Sequence, residues 1–410
     1  MRQLFLVVVV VSACTKAPVE TPPPPKPKPA PASQDLQQLL TRELADSVGE
    51  EFIKLGTRQL KVEAAGPVQA KPDAARKFVE FNLPLGTQMP VQCFVYEAPI
   101  DAGATISRAI ASVKDRLTVA SLRLWAVEVV EGSPAAFVEV GYLVDSPEGK
   151  KGGQLKLAVF PDVPNPVFCL HDEPGYLKSF QRVATRLASV VARSTPQSGP
   201  VTTYRTVSVD TVQGRPVGFE TVRFTKTDDG VRHISTLATL FLPRSPTEWM
   251  AQDQATISDL DADGFISARR VVAVTNGELQ FNMLVTHNGG RLYTYAGTSS
   301  GKELAGTFKT KGARGFEGDV MFSHALRDEL LTGKVKQLDV EQYIPDLTPI
   351  APTVFVTRRS ATGPRAVEME TAQLKIIATL DANGDSEATD VQLGPVSLHS
   401  ERKFLQGAPE

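Results

Sequence analysis

Three stretches of this 410-residue chain place reactive side chains at spacings that chemistry uses. In Asp259-Leu260-Asp261-Ala262-Asp263-Gly264, carboxylates alternate ahead of a glycine, as in the opening of a calcium-binding loop built from hard oxygen ligands around a sharp turn. The twelfth position, where a bidentate acid would close the shell, is Arg270, and strand-like sequence follows. Asp259, Asp261 and Asp263 are therefore a weak calcium candidate, and the stretch reads first as a hairpin turn. Asp381-Ala382-Asn383-Gly384-Asp385 repeats the pattern with Gln392 at the closing position and reads the same way. Gly297-Thr298-Ser299-Ser300-Gly301 satisfies the letters of a nucleophile elbow. An elbow needs a helix after the serine, and Lys302-Glu303-Leu304-Ala305-Gly306 is too short and glycine-broken for one. His171-Asp172-Glu173 sets an imidazole beside two carboxylates, but neighbouring strand residues point to opposite faces, so the three do not converge on one proton or metal. No convincing catalytic or metal constellation remains, and the expectation is a protein that is not an enzyme and carries no cofactor. Trp249 and the pair Tyr293 and Tyr295 are candidates for the rim of a ligand cavity, against the plainer reading of packing under a loop.

Cysteine chemistry separates into two kinds. Cys14 ends the quartet Val11-Ser12-Ala13-Cys14, which follows one positive charge at Arg2 and an apolar run from Leu4 to Val11. The run is a secretory h-region, too short to span the ~30 Å hydrocarbon core of a bilayer. The quartet resembles the lipobox of bacterial lipoproteins. That resemblance implies cleavage before Cys14, lipidation of its thiol and anchoring in the cell envelope. With Thr15 rather than Asp after the cysteine, it also implies the outer membrane of a Gram-negative bacterium. Cys93 and Cys169 are the remaining cysteines, in a compartment that permits a disulfide. They lie at the centres of two similar units, Pro90-Val91-Gln92-Cys93-Phe94 and Pro166-Val167-Phe168-Cys169-Leu170, each leading through an acidic-Pro turn into a helix. If those strands are neighbours the thiols can meet; otherwise each packs as a small apolar residue.

The elements that must position these residues divide the chain into a signal peptide (1–13), a lipidated cysteine with a Pro-rich linker (14–34), an α+β domain (35–193), a linker (194–202) and an antiparallel β-rich domain (203–410). Proline in TPPPPKPKPAPAS fixes φ and removes donors, so the first linker is an extended polyproline II spacer. Leu36, Leu39, Leu40, Leu44 and Val48 mark an amphipathic helix that ends at or before Gly56. Strands and helices then alternate to Val191, which points to an α/β/α sandwich around a mainly antiparallel sheet. The element order resembles the PsbP-like domains of bacterial lipoproteins. Beyond Thr203, alternating apolar and polar residues are broken by Gln213-Gly214, Asp229-Gly230, Asp263-Gly264 and Asn276-Gly277, the grammar of successive hairpins, with one short helix near His324–Leu331. A curved sheet or half-barrel around a hydrophobic interior is expected there, and it resembles the LolA/LolB-like carrier folds. Lys+Arg 44 against Asp+Glu 46 leaves no basic field for nucleic acid. The functional expectation is a membrane-anchored envelope protein that binds a lipid or another hydrophobic ligand in the β-rich domain, or else a structural or protein-interaction module of an envelope complex with no cavity.

Overall fold

The computed structural model describes residues 38–44, 48–147, 149–195, 200–227, 230–311, 319–372, 374–393 and 396–408. The expected signal peptide (1–13), Cys14 and the expected Pro-rich linker lie outside the described residues. Of the helix expected over 36–48, residues 38–41 are helical, and Glu50–Leu55 is a strand instead of helix C-terminus. That strand, β1, pairs only with β2 (Arg58–Glu63), and the hairpin turns its alternate residues Ile53, Leu55, Leu60 and Val62 into the core.

The rest of the first domain is a seven-stranded antiparallel sheet. Its strands are β3 (Gln69–Asp73), β4 (Phe78–Leu83), β5 (Val91–Tyr96), β6 (Thr118–Val130), β7 (Ser133–Ser146), β8 (Gly149–Phe160) and β9 (Val167–Asp172), in spatial order 3-4-5-9-8-7-6. Helix α1 (Ala102–Lys114) follows β5, and α2 (Leu177–Ser194) follows β9. The α/β/α sandwich expected here does not form, because strand accounts for 59% of the structure and helix for 13%. Each face of the sheet receives one helix, and β-structure completes the cover. On one face α2 packs beside the β1–β2 hairpin, through Phe180, Val183 and Leu187. On the other, α1 shares a core with Phe219, Phe241 and Ala251 of the second domain.

That second domain is one fourteen-stranded antiparallel sheet. It runs from β10 (Val201–Val212) through β11 (Arg215–Lys226), β12 (Arg232–Ser245), β13 (Glu248–Leu260), β14 (Ile266–Thr275), β15 (Glu278–His287) and β16 (Leu292–Ser299) to β17 (Lys302–Lys309). After helix α3 (Asp319–Ala325) and a π-helical turn (Leu326–Leu330), it continues as β18 (Gln337–Gln342), β19 (Thr353–Arg359), β20 (Ala366–Glu370), β21 (Lys375–Leu380), β22 (Ser386–Leu393) and β23 (Val396–Gly407). The last strand pairs with β10, so the two halves join at their first and last members and leave β17 and β18 as edges. The edges share no backbone ladder among the described residues, yet the sheet curls until they touch. Lys311 N donates to Glu341 Oε2 (2.7 Å), and the Phe308 ring stacks on Tyr343 at 6.1 Å. This curved β-sheet is a barrel-like spiral. Its hairpins turn where the sequence places them: at Asn276-Gly277 both residues adopt positive φ (51° and 88°), the backbone that a tight two-residue hairpin requires.

Helix α3 and the π turn lie against the concave face, where Phe322, Leu326 and Leu330 meet Val340, Phe355, Ile376 and Leu380. One side of the barrel is filled this way. The other side carries a separate core of Tyr204, Phe224, Ile234, Met283 and Tyr293.

The two domains are fastened by buried polar contacts as well as by apolar packing. Asp253, on the outer face of β13, accepts hydrogen bonds from Gly103 N and Ala104 N (2.8 Å each), and so caps α1, whose own Asp101 makes no side-chain cap. Thr239 Oγ1 donates to the same carboxylate (2.8 Å), and burial pushes its pKa up to about 6. Gly103 makes this approach possible, since a Cβ there would lie 2.9 Å from Asp253 Oδ2. Asp162, buried between β8 and β9, pairs with Arg205 (2.8 Å) and Arg223 (2.5 Å) of the second domain.

Candidate binding site

The end of the barrel formed by the β11–β12 and β13–β14 loops contains a cavity of about 520 Å³. Phe224, Val231, Ile234 and Leu260 supply the apolar part of its lining, and Thr203, Thr225, Lys226, Arg232, His233 and Asp261 a polar part of similar extent. Arg232 Nη2 donates to the carbonyls of Asp261 (2.8 Å) and Ala262 (3.0 Å), so the guanidinium braces the loop. The volume falls within the range of roughly 300–1,000 Å³ typical of small-molecule sites. A second concavity of about 1070 Å³ runs along α2, but it is an open groove whose three arginines are paired: Arg182 to Glu63 (2.9 Å), Arg186 to Glu50 (2.5 Å) and Arg193 to Glu131 (3.3 Å).

The residues proposed from sequence as a cavity rim lie elsewhere. Trp249 packs on Phe241 at 5.2 Å, within the core shared by the two domains. Tyr293 is buried at the seam, stacked on Phe308 at 5.7 Å, and Tyr295 contacts the same ring at 6.3 Å. Tyr293 and Tyr295 help hold the curled edges together, and none of the three residues lines the mouth cavity.

The two aspartate-rich stretches are hairpin loops of one design. Asp261 Oδ1 accepts from Asp263 N (3.0 Å) and Phe265 N (2.9 Å), and Asp381 Oδ1 accepts from Asn383 N (2.8 Å) and Asp385 N (3.0 Å). One oxygen of each carboxylate is thus spent on its own loop backbone, and the second oxygen of Asp381 accepts from Arg402 (2.9 Å). Asp259 points away and pairs with His233 (2.6 Å). Among the described residues, no group of three or more His, Cys, Asp or Glu is placed to hold a metal ion. Ser299 ends β16 and leads through a two-residue turn into β17, with no helix after it.

Cys93 and Cys169 face each other across β5 and β9 and are joined as a disulfide, with Cα atoms 4.1 Å apart. Nearby, the alternation of β9 splits His171-Asp172-Glu173. Asp172 turns outward to Tyr142, whose hydroxyl donates to it (2.5 Å), while His171 and Glu173 turn inward. They join the fully buried Lys156, which belongs to no recognisable motif. Its ammonium donates to the carbonyl oxygens of Glu173 and Gly175, the latter at 2.7 Å, and burial pulls its pKa down to about 8. Burial, reinforced by the Lys156 charge, holds His171 near a pKa of about 4, so it is neutral at pH 7. The available signal for Lys156 was its place inside the unbroken apolar run of β8, Leu155 to Phe160, where no strand face is left for solvent.

An arm formed by residues 38–44 closes over this cluster. Arg42 donates to Pro174 O and to Glu173 Oε1 (3.0 Å each), with its guanidinium 4.6 Å above the Tyr176 ring. The Glu43 carboxylate accepts from Lys178 N and Ser179 N (2.9 Å each), capping α2 in place of a local residue. The cluster is covered and its charges matched, which makes it a clasp for the start of α2. It offers no open position for substrate.

The chain matches no family model and no curated protein. Among solved structures it is similar to a β-barrel-like protein of a domain of unknown function, DUF1849, from Brucella abortus. That alignment has 12% identity, covers 52% of this chain and 100% of that one, and has a TM-score of 0.40.

Proposed function

We propose that this chain is an exported lipoprotein of the bacterial envelope, anchored through Cys14, that acts by binding a hydrophobic ligand at the mouth of its barrel. The observation that supports this reading over an interaction module without a cavity is the 520 Å³ space, whose apolar part is formed by Phe224, Val231, Ile234 and Leu260 beside a polar part of similar extent. Burying an acyl chain there gains about 0.8 kcal/mol per methylene without any catalytic group. The cationic Lys226 and Arg232 at the entrance suit a ligand with a polar end left in water. In this reading the first domain holds the barrel in a fixed orientation through the Asp253 and Asp162 contacts.

The test is native mass spectrometry of the otherwise whole protein carrying Cys14→Ala, purified from envelope extract, beside the same protein with Ile234→Trp. Co-purifying lipid in the first and its loss in the second is the expected result. A ligand-free spectrum together with a stable protein partner decides for the interaction module.

A further inference from the structure

A strand at the edge of a sheet exposes unpaired N–H and C=O groups, and proteins blunt such edges with proline, bulges or a covering element. In the first domain, edge strand β3 carries Pro72, and edge strand β6 is bulged in two places and donates from Leu122 N to Pro246 O of the second domain (2.8 Å). Strand β17 (Lys302–Lys309) has neither a proline nor a bulge in its ladder with β16.

The hairpin between β16 and β17 turns through Ser300-Gly301, both at positive φ (50° and 73°), so Ser299 and Lys302 form a hydrogen-bonded pair. Thr310 N donates to Arg291 O (3.0 Å) in the same phase. Lys302, Leu304, Gly306 and Phe308 therefore direct their backbone groups to β16, and Glu303, Ala305, Thr307 and Lys309 turn theirs to the open side. All four of these residues are exposed. Their backbone groups have no hydrogen-bond partner among the described residues. The seam with β18 does not take them up, because it uses the Phe308 ring on the concave face and Lys311 beyond the strand.

The open side is complementary to itself. A second copy of the strand laid antiparallel and centred on Gly306 sets Glu303 opposite Lys309 at one end, Lys309 opposite Glu303 at the other, and Ala305 opposite Thr307 between them. Each of those pairs joins residues whose backbone groups face the open side, so ladder and charge select the same register. On the concave side Leu304 meets Phe308. A two-residue slip in either direction leaves Lys309 with no acid opposite. Within its own sheet Glu303 faces the neutral Thr298 and Lys309 the neutral Leu292, and neither charge has an ion-pair partner among the described residues.

We propose that β17 is a dimerisation edge: two copies of this chain pair antiparallel through Glu303–Lys309, about a two-fold axis at Gly306, and join their fourteen-stranded sheets into one. The contact is about 20 Å long at the rise of an antiparallel strand, and being isologous it closes at two copies. This goes beyond the ligand reading and does not depend on the mouth cavity.

The experiment is sedimentation velocity of the otherwise whole Cys14→Ala protein over a concentration series, with hydrogen exchange resolved at single amides. A reversible monomer–dimer equilibrium is expected, with exchange at residues 303, 305, 307 and 309 fast in the monomer and slowed in the dimer. Glu303→Lys and Lys309→Glu each set like charges opposite one another and should weaken self-association about tenfold or more. Mixing the two variants in equal amounts should restore it, since each copy then presents the charges that the other lacks. Thr307→Pro removes an outward N–H without touching the β16 ladder, and should abolish the dimer while the monomer stays folded. A monomer at every concentration, single charge variants that dimerise as well as their mixture, a dimer that survives Thr307→Pro, or growth beyond two copies would each overturn the proposal. So would slow exchange of these four amides in the monomer, which would mean that the chain covers its own edge.

Discussion

Removing the Cys93–Cys169 bond tests how the first domain is held together. Both cysteines are fully buried at the centre of the sheet, and they close a loop with a sequence separation of 76. The chain-entropy model gives about 4.5 kcal/mol of stabilisation for a loop of that length at 25 °C. Replacing both by alanine also removes two buried sulfurs, each costing about 1 kcal/mol, as a buried methylene does. The expected loss is therefore about 6.5 kcal/mol, comparable to the whole stability of many domains. Urea unfolding of the wild type and of Cys93→Ala/Cys169→Ala, followed at the tryptophans, measures it. Iodoacetamide should label neither thiol in the native wild type and both after reductive unfolding. A double variant within about 2 kcal/mol of wild type would refute the reasoning, because a 76-residue restriction of the unfolded chain cannot be worth so little on this model.

Further outcomes follow from other contacts. His171 is held near a pKa of about 4, below its ordinary 6.5, so its contribution to stability is complete above pH 6.5 and is lost as pH falls toward 4, by about 3 kcal/mol. Burial raises Asp253 to about 6 and Asp346 to about 7, and these groups act in the opposite sense, favouring the fold as pH falls through that interval. The His171 share is isolated by comparing wild type with His171→Phe, whose stability relative to wild type should rise between pH 7.5 and 4.5; a difference that stays constant with pH counts against the burial argument. Gly103→Ala places a methyl 2.9 Å from Asp253 Oδ2, so the cap on α1 must give way. The expected cost is about 2 kcal/mol, the loss of a helix cap together with buried N–H groups left unpaired. It should appear as faster amide exchange at residues 103 and 104, and unchanged exchange there would contradict the assigned contact.

Local chemistry made much of the second domain legible. Asn276-Gly277 and the aspartate-led loops announce their turns, and alternation places the strands between them. Alternation does not say which face is concave, so nothing in the sequence marks the polar residues Gln252, Gln254, Thr256 and Ser258 as barrel interior. The first domain misled for a related reason. The two Cys-centred units are real neighbours, but the surface opposite α1 comes from Phe219, Phe241 and Asp253, more than a hundred residues further along the chain. Nothing within 35–193 indicates that a second sheet, in place of more helices, completes that layer. Similarly, Leu36 to Val48 has helical spacing, yet Glu50–Leu55 gains more from a hairpin with β2, which buries Ile53 and Leu55. Ring type alone marks Trp249, Tyr293 and Tyr295 as candidates for a cavity rim, and the packing uses the same rings to join domains and close a seam.

The arm at residues 38–44 has a mechanical consequence. A pull applied to the N-terminal side of the chain enters the fold at Arg42 and Glu43, at the start of α2, and not along a sheet edge. These are a few polar contacts on a short segment, loaded one after another, whereas the sheet behind them is bolted across its middle by Cys93 and Cys169. On the anchored reading proposed above, rising tension is expected to peel this arm before the disulfide-closed sheet opens.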